Sequence, residues 1–485
     1  MQTPVRIIGV LALSLAALAA CVTNPATGQK TVSLMSEQQE IALGRQNDQQ
    51  VRQEMGVYDD PGLQKYVEQV GMALAKVSER PTLPWHFTVV DTSAVNAFAL
   101  PGGFIYITRG ILPYIDNEAQ LAGVLGHEIG HVTARHAAQQ YTQSTAAQLG
   151  LVLGSIFVPE TRPFTQAAST GLQLLFLKYS RDDELQADQL GVRYESRAGW
   201  DPRGMPGLLT TLGRIEAASN NKGVPNWLET HPEPADRVQK VQAAVQQAMA
   251  GKPHAQWKVD QAHYLQQVNG IIYGDDPKQG IVRGSEFLHP GLRFAVNFPD
   301  GWTITNGEQQ VVAQPQNGGA YMLLQAVTKP GSTDVQTVAA HNMQTNRFNE
   351  LRGDKTSING LPAYVGTYDG SLQQVGTVRM RSAYIRNGDQ IFMVAGFTSP
   401  DSFDQALPAF DKSIQSFRPL SAAEASRIKP NLVKLYTVRS GDTWESIASR
   451  EGPGVVSAST LAIMNDHAAT DQPSPGQQIK IIVAG

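Results

Sequence analysis

Residues 117–136 read NEAQLAGVLGHEIGHVTARH, and no other stretch limits the fold as much. Leu121, Val124, Leu125, Ile129 and Val132 recur at helical spacing, which predicts an amphipathic helix with that stripe turned toward a core. Asp116 stands where it can cap the helix, and Glu118 falls in the first turn, where a carboxylate meets the positive end of the helix dipole. On such a helix His127 and His131 are four residues apart, so their imidazoles project within about 40° of each other. Two neutral ring nitrogens are thereby offered to one small cation, and zinc favours such ligands. Glu128 sits beside the pair, where a carboxylate can take a proton from a water polarised by the metal. The pattern points to metal-assisted amide hydrolysis. His136, nine residues beyond His127, falls on the opposite face of a continuous helix and is expected to be structural.

A third protein ligand must come from elsewhere. The continuation HExxHxxGxxH is excluded, because positions 134 and 137 are alanine. In the alternative arrangement a later helix supplies a glutamate, often followed four residues on by an aspartate. The run KYSRDDELQAD at 178–188 holds such a pair, Glu184 and Asp188, one turn apart on one face. Glu184 would complete a His2Glu site for one zinc ion, and Asp188 would accept a hydrogen bond from the distal nitrogen of a ligand histidine, fixing its tautomer. Asp182 and Asp183 are read as pointing elsewhere, into solvent.

Ahead of the helix, Ser36–Met55 and Leu63–Ser78 read as packing helices and Trp85–Asp91 as a strand. NAFALPGGFIYIT at 96–108 reads as a strand or hairpin broken at Pro-Gly-Gly, and proline in a strand run marks an edge. An extended peptide can add its backbone to such an edge, which makes Asn96, Ala97, Phe98 and Ala99 candidate substrate-binding residues.

A chain of 485 residues exceeds one ordinary core, so two or three domains are expected. The net charge of -4 gives no electrostatic case for nucleic acid. At the N-terminus, Met1–Arg6 is weakly positive and Ile7–Ala20 is an unbroken run of apolar and small residues, right for a signal peptide and too short for a permanent span. It ends Leu-Ala-Ala-Cys. This resembles a bacterial lipobox, which implies lipidation of Cys21, the only cysteine in the chain, and a membrane anchor with the body in the periplasm. Position 22 is valine rather than the aspartate associated with inner-membrane retention, so the outer membrane is favoured.

HEIGHVTARH, YSRDDELQAD, NAFALPGG, and Thr230-His231-Pro232 with Arg237 five residues beyond the proline resemble the zinc metallopeptidase family of HtpX and the CAAX prenyl proteases, nearest its soluble periplasmic BepA-like branch. The resemblance covers roughly residues 24–250. It implies a zinc endopeptidase in which His127, His131 and Glu184 are ligands and Glu128 is general base. Asp188 would orient a ligand, Asn96 and the following strand would hold substrate, His231 would reach the developing oxyanion, and Arg237 would support its loop. Two features depart from the family. Membrane-embedded relatives carry several spanning helices, whereas the apolar stretch Gln148–Val158 suits a lid or packing segment. The helical repeats that end BepA-like relatives are missing from the pattern here.

From about Gly284 the texture becomes that of an α+β domain. Strands are expected at Leu292–Phe298, Tyr321–Val327, Thr377–Ile385 and Gln390–Phe397, the last two joined by an Asn387-Gly388 hairpin turn, with helices at Val335–Leu351 and Phe403–Phe417. FPDGW followed by strands weakly resembles PsbP-like domains. The C-terminus carries YTVRSGDTWESIA, LAIMN and PGQQIKI in that order, which resembles a LysM module and implies binding of N-acetylglucosamine glycans such as peptidoglycan.

The expected architecture is therefore α+β: a signal peptide (1–20), a mainly helical zincin domain with a small edge-strand sheet (21–265), a linker (266–283), an antiparallel-sheet domain (284–420) and a βααβ LysM module (433–483). The expected function is zinc-dependent hydrolysis of peptide bonds in misfolded or stalled envelope proteins. The alternatives are a non-proteolytic chaperone or peptidoglycan tether and, less favoured, a peptidoglycan hydrolase.

Overall fold

The computed structural model describes residues 21–143, 179–218, 227, 231, 234–250, 256–307, 310–327, 334–372 and 375–485. Gln148–Val158, read from the sequence as a lid, lies outside them. The chain divides into two compact units, one formed by residues up to Tyr273 together with Leu432–Ala484, the other by Gly274–Asn431.

The first unit begins with a short hairpin, β1 (Cys21–Thr23) and β2 (Lys30–Val32). Helix α1 (Glu37–Met55) starts at a capping box in which Ser36 and Gln39 satisfy each other's backbone N–H groups. Helix α2 (Pro61–Ala75) starts at Asp60 with proline at its first position, where the missing N–H costs nothing. Next come β3 (His86–Val90), β4 (Ala97–Leu100) and β5 (Phe104–Thr108), in the sheet order β3-β5-β4. The Pro-Gly-Gly break is the hairpin turn between β4 and β5, with Gly102 and Gly103 at φ 82 and 103°, where only glycine sits without strain. That leaves β4 at the sheet edge, against the next helix, α3 (Glu118–Thr133).

The N-cap of α3 is Asn117, whose side chain accepts from the Gln120 N–H at 2.9 Å; Asp116 does not cap, and its backbone N–H bonds the Gln120 side chain instead. Helices α4 (Arg181–Ala198), α5 (Gly204–Ala218), α6 (Pro234–Ala250) and α7 (Gln261–Val268) complete the helical layer around α3, followed by β6 (Ile272–Tyr273). α3 and α4 cross closely because glycines meet there: a Cβ on Gly126 would lie 3.1 Å from the Gly191 Cα. Leu121, Val124, Leu125, Ile129 and Val132 all enter the core, as the spacing predicts.

In the second unit, β7 (Ile281–Arg283), β8 (Glu286–His289), β9 (Phe294–Asn297) and β17 (Arg418–Pro419) form a four-stranded sheet. β10 (Thr303–Asn306), β11 (Gln310–Gln314), β12 (Ala320–Val327), β13 (Asn349–Ile358), β14 (Leu361–Leu372), β15 (Gly376–Asn387) and β16 (Gln390–Thr398) form a seven-stranded antiparallel sheet. Side chains alternate across it: Ala363, Val365, Ala383 and Ile385 join the core under α9 (Phe403–Ser416), whereas Tyr364, Tyr368 and Tyr384 pack with α8 (Val335–Thr345). The expected helix to Leu351 stops at Thr345, and the chain turns into β13. A short helix, α10 (Ala422–Arg427), ends this unit.

β18 (Asn431–Thr437), α11 (Trp444–Glu451), α12 (Ala458–Met464) and β19 (Gln478–Val483) follow in the βααβ order the sequence predicts. This module is not a separate bead. β6 adds to its sheet beside β18, with Gly270 N–H to Val433 O at 2.7 Å and Val433 N–H to Ile271 O at 2.9 Å. Val433, Met464 and Ile482 belong to the same buried cluster as Leu121 and Leu125 of α3. The stretch 266–283, read from sequence as linker, holds the end of α7, β6 and β7.

Candidate metal centre

His127 and His131 project from the same face of α3, and their Nε2 atoms approach to 3.0 Å. α4 presents Glu184 to both, with carboxylate oxygens 3.7 Å from His127 Nε2 and 3.4 Å from His131 Nε2. His231 joins them, and one ligand-capable atom from each of the four lies within 4.8 Å of the others. A tetrahedral zinc with bonds of about 2.1 Å holds its ligand atoms about 3.4 Å apart, so the donor set fits that ion. All four side chains are buried. Burial pushes the three imidazoles below their ordinary range, toward the neutral form that binds metal, and pushes the Glu184 carboxyl up.

Glu128 points into the same enclosure. Both its carboxyl oxygens are buried without a hydrogen-bond partner, and burial raises its pKa to about 8. A buried carboxyl left unsatisfied by the fold is costly unless something else is to occupy that space. Its Oε1 lies 3.6 Å from His231 Nε2.

Around these groups stands a ring of orienting contacts. His127 Nδ1 meets Asp188 Oδ1 at 2.9 Å. Arg237 donates to Asp188 at 2.8 and 2.6 Å and lies 2.8 Å from Glu184 Oε2. Burial alone would raise the Asp188 pKa, but Arg237 and His127 hold it below the usual carboxylate range. Arg237 thus braces two carboxylates, a larger part than the loop support the family resemblance implies, and its Nη1 reaches His231 O only at 3.5 Å. His231 is buried, its ring stacked on Trp227 at 4.7 Å.

His136 departs from the helical reading. α3 ends at Thr133, Arg135 takes a φ of 60°, and the chain doubles back so that His136 Nδ1 sits 2.8 Å from His131 Nδ1. Asp183, read as solvated, shares a capping box with Ser180 and approaches His136 Nε2 at 3.4 Å. Two aromatic residues were missed. Tyr179 stacks on His131 at 3.9 Å, and Trp227 carries His231. Their only sequence signal is position, Tyr179 just before the α4 cap and Trp227 one helical turn before His231.

Along the edge strand, Asn96 N–H bonds Thr108 Oγ1 at 3.0 Å, and Phe98 stacks inward on Tyr106. Ala97 is buried and Ala99 half-buried. Ala99 and Leu100 line a slit of about 10 Å³ with His131, Val132 and Tyr179. At Cys21 the chain is in the first strand of the N-terminal hairpin. Among the described residues no helix is long and apolar enough to cross a membrane.

A helix bearing HExxH, a second helix adding a glutamate and an edge-strand sheet alongside together present a His2Glu donor set. Residues 61–245 match Peptidase family M48, and residues 436–481 match the LysM domain. The chain is 33% identical over 224 residues to the beta-barrel assembly-enhancing protease of Escherichia coli (strain K12), covering 44% of this chain and 46% of that protein. It is 32% identical over 241 residues to the Yersinia pestis protein of the same name, covering 47% and 48%. Against the mitochondrial metalloendopeptidase OMA1 of Arabidopsis thaliana identity is 34% over 177 residues, covering 36% and 35%. The chain thus spans about half the length of the first of these relatives. Among solved structures, cyanobacterial PsbP from Synechocystis sp. PCC 6803 aligns with 29% of this chain and 95% of its own at 13% identity and a TM-score of 0.24.

Proposed function

We propose that this chain is a zinc-dependent endopeptidase of the bacterial envelope, acting on misfolded or stalled periplasmic and outer-membrane proteins. The observation that carries the reading is the buried convergence of His127 Nε2, His131 Nε2 and the Glu184 carboxylate beside an unpartnered Glu128. Bound zinc would polarise the scissile carbonyl and lower the pKa of a water toward about 7. Glu128, set apart from hydrogen-bond partners, takes the proton of the attacking water on its carboxylate and returns it to the leaving amine. His231 Nε2, close to Glu128, faces the developing oxyanion. Backbone groups of Asn96–Ala99 hold an extended substrate at the sheet edge. Lipidation at Cys21 would anchor the chain, at the outer membrane in this reading, and the LysM module would bind peptidoglycan.

The test is Glu128→Gln. It should bind zinc as wild type does and lose cleavage of an unfolded protein such as casein by at least about 100-fold, the range general-base loss produces. Equal inertness of both, with retained client or glycan binding, would favour the chaperone or tether instead. A second reading of His231 rests on its membership in the four-donor cluster. Four protein donors make a closed site, and catalytic sites keep one position open. If His231 closes the site at rest, His231→Ala raises cleavage; if it serves the oxyanion, the same change lowers it.

A further inference from the structure

His136 has no part in the mechanism just described, yet it is buried against a ligand. Its Nε2 faces Gln186 Oε1 at 2.9 Å and Asp183 Oδ1 at 3.4 Å. A carboxylate oxygen and an amide oxygen only accept, so the His136 proton is on Nε2. In the neutral ring the other nitrogen only accepts, so Nδ1 carries a lone pair. That lone pair faces His131 Nδ1 at 2.8 Å and requires the His131 proton there. His131 is left with a bare Nε2, and this is the atom that meets His127 and Glu184.

We infer that His136 is a positioning residue that selects the metal-binding tautomer of His131, through a relay running from Asp183 and Gln186 to His136 and then to His131. The two histidine ligands are then oriented by different chemistry. His127 is fixed directly by a charged carboxylate, Asp188, whereas His131 is fixed by a neutral imidazole whose own direction is set at a half-exposed end of α4. The relay exists because the helix stops at Thr133 and the positive φ at Arg135 lets His136 come against His131.

The inference rests on the peptidase reading only for the identity of the ion. The test is zinc affinity, measured on the full chain by competition with a chromogenic chelator, with folding followed by circular dichroism. His136→Leu should weaken zinc about 10- to 100-fold, the usual effect of losing a ligand's orienting partner. His136→Asn, whose amide oxygen falls near the lost Nδ1, should recover most of that. Gln186→Glu keeps an acceptor and should bind zinc as wild type does, while Gln186→Arg offers only donors and should weaken it about tenfold. These last two changes are at a half-exposed position and leave the core intact. In the zinc-loaded chain, 15N spectra of the labelled imidazoles should show His136 protonated on Nε2 and accepting at Nδ1. A His136 proton on Nδ1, or equal zinc affinity in the Glu and Arg variants, would overturn the relay alone. A wild-type chain that takes up no zinc would overturn the peptidase reading and the relay together.

Discussion

Lys480 donates to the backbone carbonyl of Ile115 at 2.5 Å, although 365 positions separate the two residues in sequence. Its ammonium is also 3.6 Å from Asp116, and the side chain is fully buried. Ile115 and Asp116 form the loop that delivers the chain into α3, so the C-terminal module holds the entry to the helix that carries His127 and His131. Arg214 and Asp466 add a half-exposed pair at 2.9 Å on the same side.

Truncating Lys480 to alanine removes a donor from a buried carbonyl and leaves a cavity. The expected loss is about 2–5 kcal/mol, from the orphaned acceptor and the lost packing together. Urea unfolding of the whole chain measures it. A chain ending before Leu432 should fare worse, because Val433, Met464 and Ile482 leave the common core with it. Soluble, zinc-binding protein from that truncation would show the module to be dispensable.

The same lysine gives a pH signature. Burial lowers its pKa below the ordinary 10.5, against the opposing pull of Asp116 and Asp466. Between the lowered folded value and the unfolded value near 10.4, the unfolded chain holds more protons, so this residue's contribution to stability improves as pH rises. Below the folded pKa both states are protonated and the cost of burying the charge is constant. Lys480→Met removes the titration and is expected to be more favourable relative to wild type at pH 7 than at pH 10. A stability difference that does not change between those two pH values would count against a buried, charged Lys480.

Among the described residues Arg237 is the one cation set between Asp188 and Glu184, and its replacement by glutamine leaves two buried carboxylates close together. Breaking a buried pair from one side costs about 3–5 kcal/mol. Lysine should not rescue, because one ammonium cannot match the paired contacts to Asp188 and the third to Glu184. Thermal melts of the zinc-free chain separate this effect from metal loss.

Much of the site was legible because its signals are local. HExxH puts two imidazoles on one face by helical geometry, and Glu184 with Asp188 repeats the same spacing. What failed was every reading that assumed the helix continued. Periodicity places His136 on the far face, because the left-handed residue at Arg135 carries no mark that periodicity can see. Asp116 was preferred as cap to Asn117, one residue on, where both types suit the position. In the second unit Asn387-Gly388 reads as a hairpin turn, and Asn359-Gly360, at φ 49 and 84°, is a turn of the same kind that the sequence reading does not contain; the exposed, mostly polar β13 before it offers no alternating pattern to mark it. The docking of the LysM module was beyond local reading altogether, since a buried lysine in a strand looks like any surface lysine until its partner, hundreds of residues away, is known.

Gly130 links the packing of α3 and α4 to the chemistry. A Cβ there would lie 2.9 Å from Ala187 O and 3.0 Å from its Cα, both backbone atoms that cannot rotate away. Gly130→Ala must therefore push α4 outward by a few tenths of an ångström, and Ala187 is adjacent to Asp188 and three residues from Glu184. The displaced carboxylates open the donor set, so zinc affinity should fall about tenfold and cleavage with it. Global stability should change less, because alanine regains up to about 1 kcal/mol of helix propensity. Gly207→Ala on α5 is the control, since its Cβ would meet only the flexible Gln120 side chain at 3.2 Å. That variant should bind zinc as wild type does. A Gly130→Ala chain with undiminished zinc affinity would mean that the helix spacing does not govern the site.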